Sequence, residues 1–347
     1  MTADATGEDR AAQAALASIV IPTYNGAARV PAVLEALTGQ DAADGSFEVI
    51  IVDNASTDAI AELADSHPSV FALRKRGVAC RLVSEERRGL LHARIRGVLE
   101  ARGNAICFLD DDTIPDRDYV RRGIDALTDP SVGLLVSSIS PSFETVPPPS
   151  VKKREWLFAA TYRLGASVID LGAVATLAPT IGAGMWVKRD AFLRSVPWRT
   201  PELMLADRTG GQLTSGGDIE IGYMIGKAGL TRLYVPQLRL THLIGRNRLG
   251  TAYVCRLIMG ITRSELTLQH RYVRAYGAWA RLKACIALTG AALAAPVVLL
   301  QRNDGAREAL FILAMRIARV EGPYASRPIL KSLDPRAGLE PPRRAAT

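Results

Sequence analysis

The chain has 347 residues, of which 48% are hydrophobic, so it can bury a core in one large domain or two. Its four cysteines are widely spaced and show neither a disulfide framework nor a zinc-binding spacing (Cys80, Cys107, Cys255 and Cys285). The net charge of +8 is concentrated in residues 227–347, with 20 Lys and Arg against 6 Asp and Glu, which suggests an anionic partner (membrane surface, diphosphate or nucleic acid) or a basic solvent-exposed face.

The N-terminal 17 residues are rich in alanine and lack the basic start and apolar stretch of a signal peptide. We therefore expect a cytoplasmic protein whose thiols stay reduced. Residues 1–15 are expected to be disordered, ahead of a globular domain over residues 16–245.

Strands and helices alternate through the first half of the sequence. The patterns predict strands at 18–22, 47–52, 81–83 and 106–109, and helices at 28–37, from 57 onwards with Ser56 as N-cap, at 89–102 and at 116–127. Such alternation indicates parallel strands joined by right-handed crossovers. Because polar residues follow each strand, their side chains should converge on one edge of the sheet, where α/β proteins bind ligands.

The pattern is less regular in the second half. It predicts an extended proline-rich loop at 141–150, a strand at 182–187, a helix at 219–227, a strand at 232–235 and basic helices after His242. The long segment at 199–217 contains Gly210-Gly211 and Gly216-Gly217 as hinges and is typical of a lid.

Residues 106–112 read Ile-Cys-Phe-Leu-Asp-Asp-Asp, a short apolar strand followed by three carboxylates. Adjacent carboxylates repel one another and are costly to desolvate, so this cluster indicates a site that a cation neutralises. Oxygen ligands suit magnesium or manganese, which usually take their other ligands from phosphate and water. A solvated acidic turn that caps the next helix is the alternative.

Six short motifs follow one another along the chain, at residues 19–25, 52–58, 88–94, 108–112, 182–186 and 217–220. Each motif is weak alone, but the ordered set closely resembles glycosyltransferase family 2, the inverting enzymes with the GT-A fold. The resemblance covers about residues 16–245. It implies an α/β fold with a Rossmann-like, mostly parallel sheet flanked by helices, and the sequence adds a helical C-terminal extension.

The resemblance also implies a nucleotide-sugar donor and a divalent metal, manganese or magnesium. It places eight residues at the donor: Pro22, Tyr24, Asn25, Asp53, Arg88, Arg94, Asp110 and Asp111. It assigns the metal to Asp112 with Asp110 and His242, although which of the three adjacent carboxylates binds the metal stays open. Arg246 and Arg248 follow His242 and could reach the donor diphosphate.

Asp218 matches the family's catalytic base, near the N-terminus of a late helix. The usual family pattern there is Glu-Asp, whereas this chain has Gly217-Asp218, so one carboxylate is lost and the base is kept. One carboxylate suffices for a single displacement with inversion, because no covalent nucleophile is required. The predicted acceptor or sugar pocket contains Gly184, Met185, Trp186 and Glu220.

Each assignment has a structural alternative. Asp53 could belong to a plain turn, Asp218 could cap its helix, and His242 could be a packed histidine. Arg88 and Arg94 could lie on a solvated helix face. The glycines at 182 and 184 could serve packing alone, and Trp186 is more typical of a core than of a sugar platform.

Residues 284–300 form an uncharged stretch of 17 residues between basic flanks. Because a spanning helix needs about 20 residues, with a lower limit near 17, three interpretations stay open: helices on a membrane surface, a packed soluble extension, or a membrane span. We expect residues 246–330 to form a helical extension that touches the inner face of the cell membrane through residues 281–320. A flexible tail is expected at 331–347.

The predicted function is metal-assisted transfer of a sugar to a hydroxyl of a glycan or lipid-linked envelope precursor. A sugar nucleotidyltransferase is one alternative, but Pro22-Thr23-Tyr24-Asn25-Gly26 stands where its glycine-rich phosphate loop would follow the first strand. A non-catalytic membrane-surface nucleotide-binding protein is another alternative. Such a protein is expected to lack some of the site carboxylates, but Asp53, Asp110, Asp112 and Asp218 are all present. Nucleic-acid binding is not expected, because the basic region lacks interleaved aromatics for base stacking.

Overall fold

The computed structural model describes residues 17–205, 213–299 and 304–324. The expected disorder at 1–15, the tail at 331–347 and the Gly210-Gly211 hinge fall outside these ranges.

The strands are β1 (Ala17–Thr23), β2 (Phe47–Asp53), β3 (Cys80–Ser84), β4 (Ala105–Phe108), β5 (Thr113–Pro115), β6 (Val132–Phe143), β7 (Ile169–Asp170), β8 (Met185–Lys188) and β9 (Thr231–Ile244). The α-helices are α1 (Val30–Thr38), α2 (Ile60–Ser66), α3 (Pro68–Lys75), α4 (Leu90–Glu100), α5 (Tyr119–Ala126), α6 (Pro149–Lys152), α7 (Leu171–Val174), α8 (Arg189–Ser195), α9 (Gly217–Lys227), α10 (Thr251–Tyr272), α11 (Ala278–Leu299) and α12 (Asp304–Glu321).

The strands form one sheet in the order β3-β2-β1-β4-β8-β6-β9-β5, and β7 pairs with β9. The first four strands of this order are parallel, as the alternating pattern predicts. Beyond them the sheet is mixed, because β8 runs antiparallel to both β4 and β6 while β6 and β9 are parallel. The predicted α/β architecture is therefore confirmed. The sheet as a whole is mixed, because antiparallel pairings follow the four parallel strands β3, β2, β1 and β4.

Side chains of the central strand β1 alternate between two buried apolar layers. Ile19 and Ile21 share one layer with the apolar face of α1, and Val20 shares the other with α4. Gly97 allows α4 to pack closely against β1, because a Cβ at this position would lie 2.2 Å from Val20 Cγ1. Burial on both faces explains why β1 is a continuous apolar run rather than an alternating one.

Several predicted boundaries differ from the structure. Helix α2 begins at Ile60 after Ala59, and Ser56 instead accepts a hydrogen bond from the Asn25 backbone N–H, so it is not the N-cap. The proline-rich loop at 141–150 is shorter than expected, because β6 continues to Phe143 and α6 begins at Pro149. Strand β9 runs on to Ile244, nine residues beyond the predicted end, because it pairs with β6 again from Arg239 to Ile244 after an irregularity at residues 236–238.

The C-terminal helices pack onto the sheet domain. Phe311 and Ala314 of α12 share a buried cluster with Leu257 of α10 and Phe158. The Ser150 N–H and hydroxyl donate to Asp304 at 2.6 and 2.5 Å, which ties the start of α12 to α6. Among the described residues, no helix has the length and apolarity to cross a membrane.

Candidate active site

The carboxyl ends of β1, β2 and β4 meet at one edge of the sheet, as the sequence predicts. Thr23 at the end of β1 is in register with Asp53 at the end of β2. The two following turns bind each other, since the Thr57 N–H donates to Asn25 Oδ1 at 2.8 Å and the Asn25 N–H donates to Ser56 Oγ at 2.9 Å. Asn25 and Ala55 both have positive φ, 51° and 59°, a strained conformation for alanine that this interlocking holds in place.

An aromatic side chain projects from this edge. Tyr24 is 43% exposed, and the Arg88 guanidinium carbon lies 5.1 Å from its ring centroid. Pro22 is buried within β1 and positions the turn without presenting its own ring to solvent. An exposed aromatic ring can stack on a planar base, and Asp53, at the end of the neighbouring strand, can accept hydrogen bonds from hydroxyl groups.

Asn54 is a structural residue that the sequence analysis did not single out. Its amide donates to the carbonyls of Glu85 and Arg87, at 3.2 and 2.8 Å, and its Oδ1 accepts from the Gly89 N–H at 2.7 Å. This one buried side chain therefore joins the end of β2 to the turn that carries Arg88 and starts α4.

Asp111 is neutralised within the protein. Its carboxylate accepts two hydrogen bonds from Arg29, at 2.9 and 2.7 Å, and one from the Thr23 hydroxyl at 2.5 Å. Burial raises the pKa of Asp111, and the Arg29 guanidinium opposes that rise. Both carboxylate oxygens thus bind protein groups and fasten the β1 turn to the end of β4, and the donor contact of Asp111 stays a prediction.

Asp112 lies beside His242 because their strands are neighbours. Thr113 of β5 pairs with His242 of β9, and the Leu243 N–H donates to the Asp112 carbonyl at 2.8 Å. The His242 Nε2 is 3.4 Å from Asp112 Oδ2, and Arg248 Nη1 is 3.0 Å from the same oxygen. Asp112 and His242, predicted together at the metal, are therefore neighbours, and Arg248, predicted at the donor diphosphate, contacts the same carboxylate.

Arg246, predicted at the diphosphate with Arg248, is placed differently. Its side chain is exposed, and its backbone N–H donates to Glu144 Oε2 at 2.8 Å. Of the two arginines, Arg248 is the one held at the carboxylate.

Few of the described side chains at this edge could bind a divalent cation. Within residues 17–205, 213–299 and 304–324, no three His, Cys, Asp or Glu side chains form a metal cluster. Asp112 and His242 nevertheless supply one hard oxygen and one imidazole nitrogen close together, and a catalytic magnesium or manganese commonly takes its remaining ligands from phosphate and water. The residues present fit such an ion.

Asp218 lies in the first turn of α9 and faces the same edge. Its Oδ2 accepts the Gly182 N–H at 2.7 Å and its Oδ1 the Ile219 N–H at 2.9 Å, which fixes the orientation of the carboxylate. A Cβ at Gly182 would lie 2.0 Å from Arg94 Nη2, so the absence of a side chain at this position lets the guanidinium approach the backbone that donates to Asp218. Arg94 Nη2 is in turn 3.9 Å from Asp110 Oδ1, which links Asp218 to the acidic cluster.

The predicted acceptor or sugar pocket is wrong for its side chains. Met185 and Trp186 are 0% exposed and belong to the two apolar layers. Gly184 serves packing, since its φ is +69° and a Cβ there would lie 2.0 Å from Leu240. Strand alternation explains this result, because both faces of a central strand are covered here.

Glu220 is also buried and contributes no surface to a pocket. Its Oε1 accepts from Arg271 Nη1 at 3.0 Å and from the Tyr272 hydroxyl at 2.5 Å, and its Oε2 accepts the Leu205 N–H at 2.6 Å. Burial raises the pKa of Glu220, and these donors oppose the rise. Glu220 therefore joins α9 to the end of α10 and to the segment that precedes Asp218.

Comparisons with known proteins agree with this geometry. The family model described as Glycosyl transferase family 2 matches residues 18–192. Glycosyltransferase AglE of Haloferax volcanii is 29% identical over 122 residues, which cover 35% of this chain and 38% of that protein. The amylovoran biosynthesis glycosyltransferase AmsB of Erwinia amylovora is 36% identical over 110 residues, 31% of this chain and 34% of that protein. The chain thus spans less than two fifths of each of these relatives.

A structural neighbour extends over most of the chain. The mannosyltransferase PcManGT from Pyrobaculum calidifontis, solved with GDP-Man and Mn2+, superposes with a TM-score of 0.57 and 21% identity. The match covers 90% of this chain and 87% of that protein. Likeness at this level supports the predicted GT-A fold.

Proposed function

Because this chain belongs to glycosyltransferase family 2, we propose that it transfers a sugar from a nucleotide-sugar donor to a hydroxyl of a glycan or lipid-linked envelope precursor. The proposal rests on the Asp112–His242 pair together with the Asp218 carboxylate, which two backbone N–H groups hold in one orientation. Membership in the family also disfavours a sugar nucleotidyltransferase.

The donor would lie along the edge formed by β1, β2 and β4. Tyr24 and Asn25 with Asp53 would hold the base and ribose, and the exposed Arg88 lies close enough to Tyr24 to contact the same nucleotide. Asp110 keeps part of its carboxylate exposed, which suits it to the sugar or its phosphate, and Arg94, which is 2% exposed and 3.9 Å from Asp110, would act on the donor through that carboxylate.

Asp218 would act as the general base. It would take the proton from the acceptor hydroxyl as that oxygen attacks the anomeric carbon, while the bond from the anomeric carbon to the diphosphate breaks. A single displacement of this kind inverts the anomeric configuration. The two amide hydrogen bonds to the carboxylate hold it in one orientation for the transfer.

Asp112 and His242 would hold the divalent metal, with Asp110 and Arg248 close by. Manganese or magnesium bound there would neutralise the charge that develops on the leaving diphosphate. The Phe158 carbonyl, 2.9 Å from His242 Nδ1, orients the imidazole for this role.

Binding of a panel of UDP-, GDP- and dTDP-sugars with and without manganese tests the proposal. We expect one nucleotide class to bind in a manganese-dependent manner, and the Asp112→Asn variant to lose most of that dependence, because an amide is a poorer cation ligand than a carboxylate. Donor titration calorimetry measures both effects, with Asp116→Asn as a matched control at the far end of β5. A normal manganese response in Asp112→Asn would move the metal to Asp110, and no donor binding by the wild type would contradict the proposed function.

Peripheral contact with the inner face of a membrane is the second part of the proposal. Helix α11 exposes Trp279 (67%), Leu282 and Ile286 (64%) at spacings of three and four residues, with Lys283 on the same face. Exposed apolar residues flanked by basic ones are typical of a helix that lies on an anionic bilayer.

We expect the paired substitutions Leu282→Glu and Ile286→Glu to release the protein from vesicles that contain anionic lipid, because they place two carboxylates on the face that would enter the headgroup region. Vesicle co-sedimentation measures the effect. Phe71→Glu on α3 is the control, since Phe71 is 53% exposed but belongs to a different helix. Unchanged sedimentation of the paired variant would show that α11 does not contact the bilayer.

A further inference from the structure

The Arg248 guanidinium supplies a positive charge at the Asp112–His242 pair. Its Nη1 is 3.0 Å from Asp112 Oδ2 and 3.2 Å from His242 Nε2. Asp112 Oδ2 and His242 Nε2 are 3.4 Å apart, a close approach of two electron-rich atoms that a cation stabilises. Arg248 therefore acts here as the counter-ion that a metal would otherwise provide.

The hydrogen bonds determine the tautomer of His242. Because arginine only donates, Nε2 must accept from Arg248, and Nδ1 must carry the proton that it donates to the Phe158 carbonyl. The Nε2 lone pair is the group that a divalent cation binds, and the carbonyl behind Nδ1 holds the ring for it. One lone pair serves either the guanidinium or the metal.

Arg248 is well placed to change partners. Its Nε donates to the Tyr253 hydroxyl at 3.2 Å, and its guanidinium carbon lies 5.9 Å from the Phe158 ring centroid. Its Nη2 is buried and has no hydrogen-bond partner among the described residues. An unsatisfied buried donor is costly, so an anionic oxygen that reached it would be bound favourably.

We propose that Arg248 and the divalent cation compete for Asp112 and His242, and that Arg248 moves to the donor diphosphate when the cation binds. This inference rests on the function proposed above. A guanidinium and a dication held by the same two side chains repel each other strongly, so binding of one displaces the other. The released guanidinium can then form bidentate hydrogen bonds with the diphosphate, so the cation and the nucleotide bind cooperatively.

Manganese titrations followed by electron paramagnetic resonance test this competition in the full chain. Without nucleotide, Arg248→Ala should bind Mn2+ roughly tenfold more tightly than the wild type, a coupling of ordinary size between two sites. Arg246→Ala is the matched control, because it removes an exposed charge two positions away in the same turn and should leave the affinity near that of the wild type. With UDP or GDP present, Arg248→Ala should no longer bind Mn2+ more tightly than the wild type. Its nucleotide affinity should be lower than that of the wild type.

If the wild type binds Mn2+ in the presence of nucleotide, but Arg248→Ala without nucleotide binds Mn2+ no more tightly than the wild type, the proposed competition is overturned. The proposed function is then left intact. Absence of Mn2+ binding by the wild type under both conditions would contradict metal-assisted transfer itself. Arg248→Gln gives a second reading, since it removes the charge and keeps an amide donor for Asp112. It should also bind Mn2+ more tightly than the wild type.

Discussion

Replacing Asp218 with asparagine should lower kcat by about 10²- to 10⁴-fold, the usual contribution of a positioned general base. Asparagine keeps the size of the side chain and one oxygen that can accept the Gly182 N–H, and only the hydrogen bond from the Ile219 N–H is lost. The amide cannot take the acceptor proton. Donor dissociation constants should therefore change little, and initial-rate kinetics with donor titration calorimetry separate the two quantities.

Asp190→Asn is the matched control for this variant. Asp190 also lies in the first turn of a helix, α8, but it is exposed and pairs with Arg194 at 2.6 Å. Its replacement should leave kcat near the wild-type value. An equal loss of donor affinity and turnover in Asp218→Asn would assign the carboxylate to donor binding instead of proton transfer.

The sheet edge could be predicted from the sequence because it follows from two short-range signals. Apolar runs that end in Asp53 and Asp110 indicate buried strands followed by polar loops, and the parallel order puts their ends together. Such a pattern identifies which residues reach the edge. It does not identify which of them are satisfied by other protein groups. The neutralisation of Asp111 by Arg29 was therefore missed, because Arg29 resembles any basic residue at the start of a surface helix.

His242 was assigned to the metal together with Asp110 and Asp112, although its strand was predicted to end at Val235. The extension of β9 depends on pairing with β5 and β6, which lie far away in the sequence and leave no local signal. The charged cluster around Glu220 was missed for the same reason, because Arg271 is 51 residues away in a helix whose sequence predicts only a basic exterior. Trp186 shows the converse: its apolar, aromatic character favoured the core, as the structure finds.

Replacing Glu220 with alanine should lower the free energy of unfolding by about 3–5 kcal/mol, because it leaves the Arg271 guanidinium buried without its carboxylate. Glu220 is 0% exposed, and it also accepts hydrogen bonds from Tyr272 and the Leu205 backbone. Urea unfolding followed by tryptophan fluorescence measures the loss. Lys227→Ala, an exposed site on the same helix, should change stability by no more than about 0.5 kcal/mol.

The double variant Glu220→Ala with Arg271→Met separates the charge effect from the positioning effect. Removal of the second charge should recover part of the lost stability, because no unpaired guanidinium then remains buried. Turnover should stay low in both variants, because the Leu205 N–H loses its acceptor and the segment before Asp218 is no longer tied to α9. A double variant that regained both stability and turnover would show that Glu220 serves only to balance Arg271, whereas a single variant as stable as the wild type would contradict the buried ion pair.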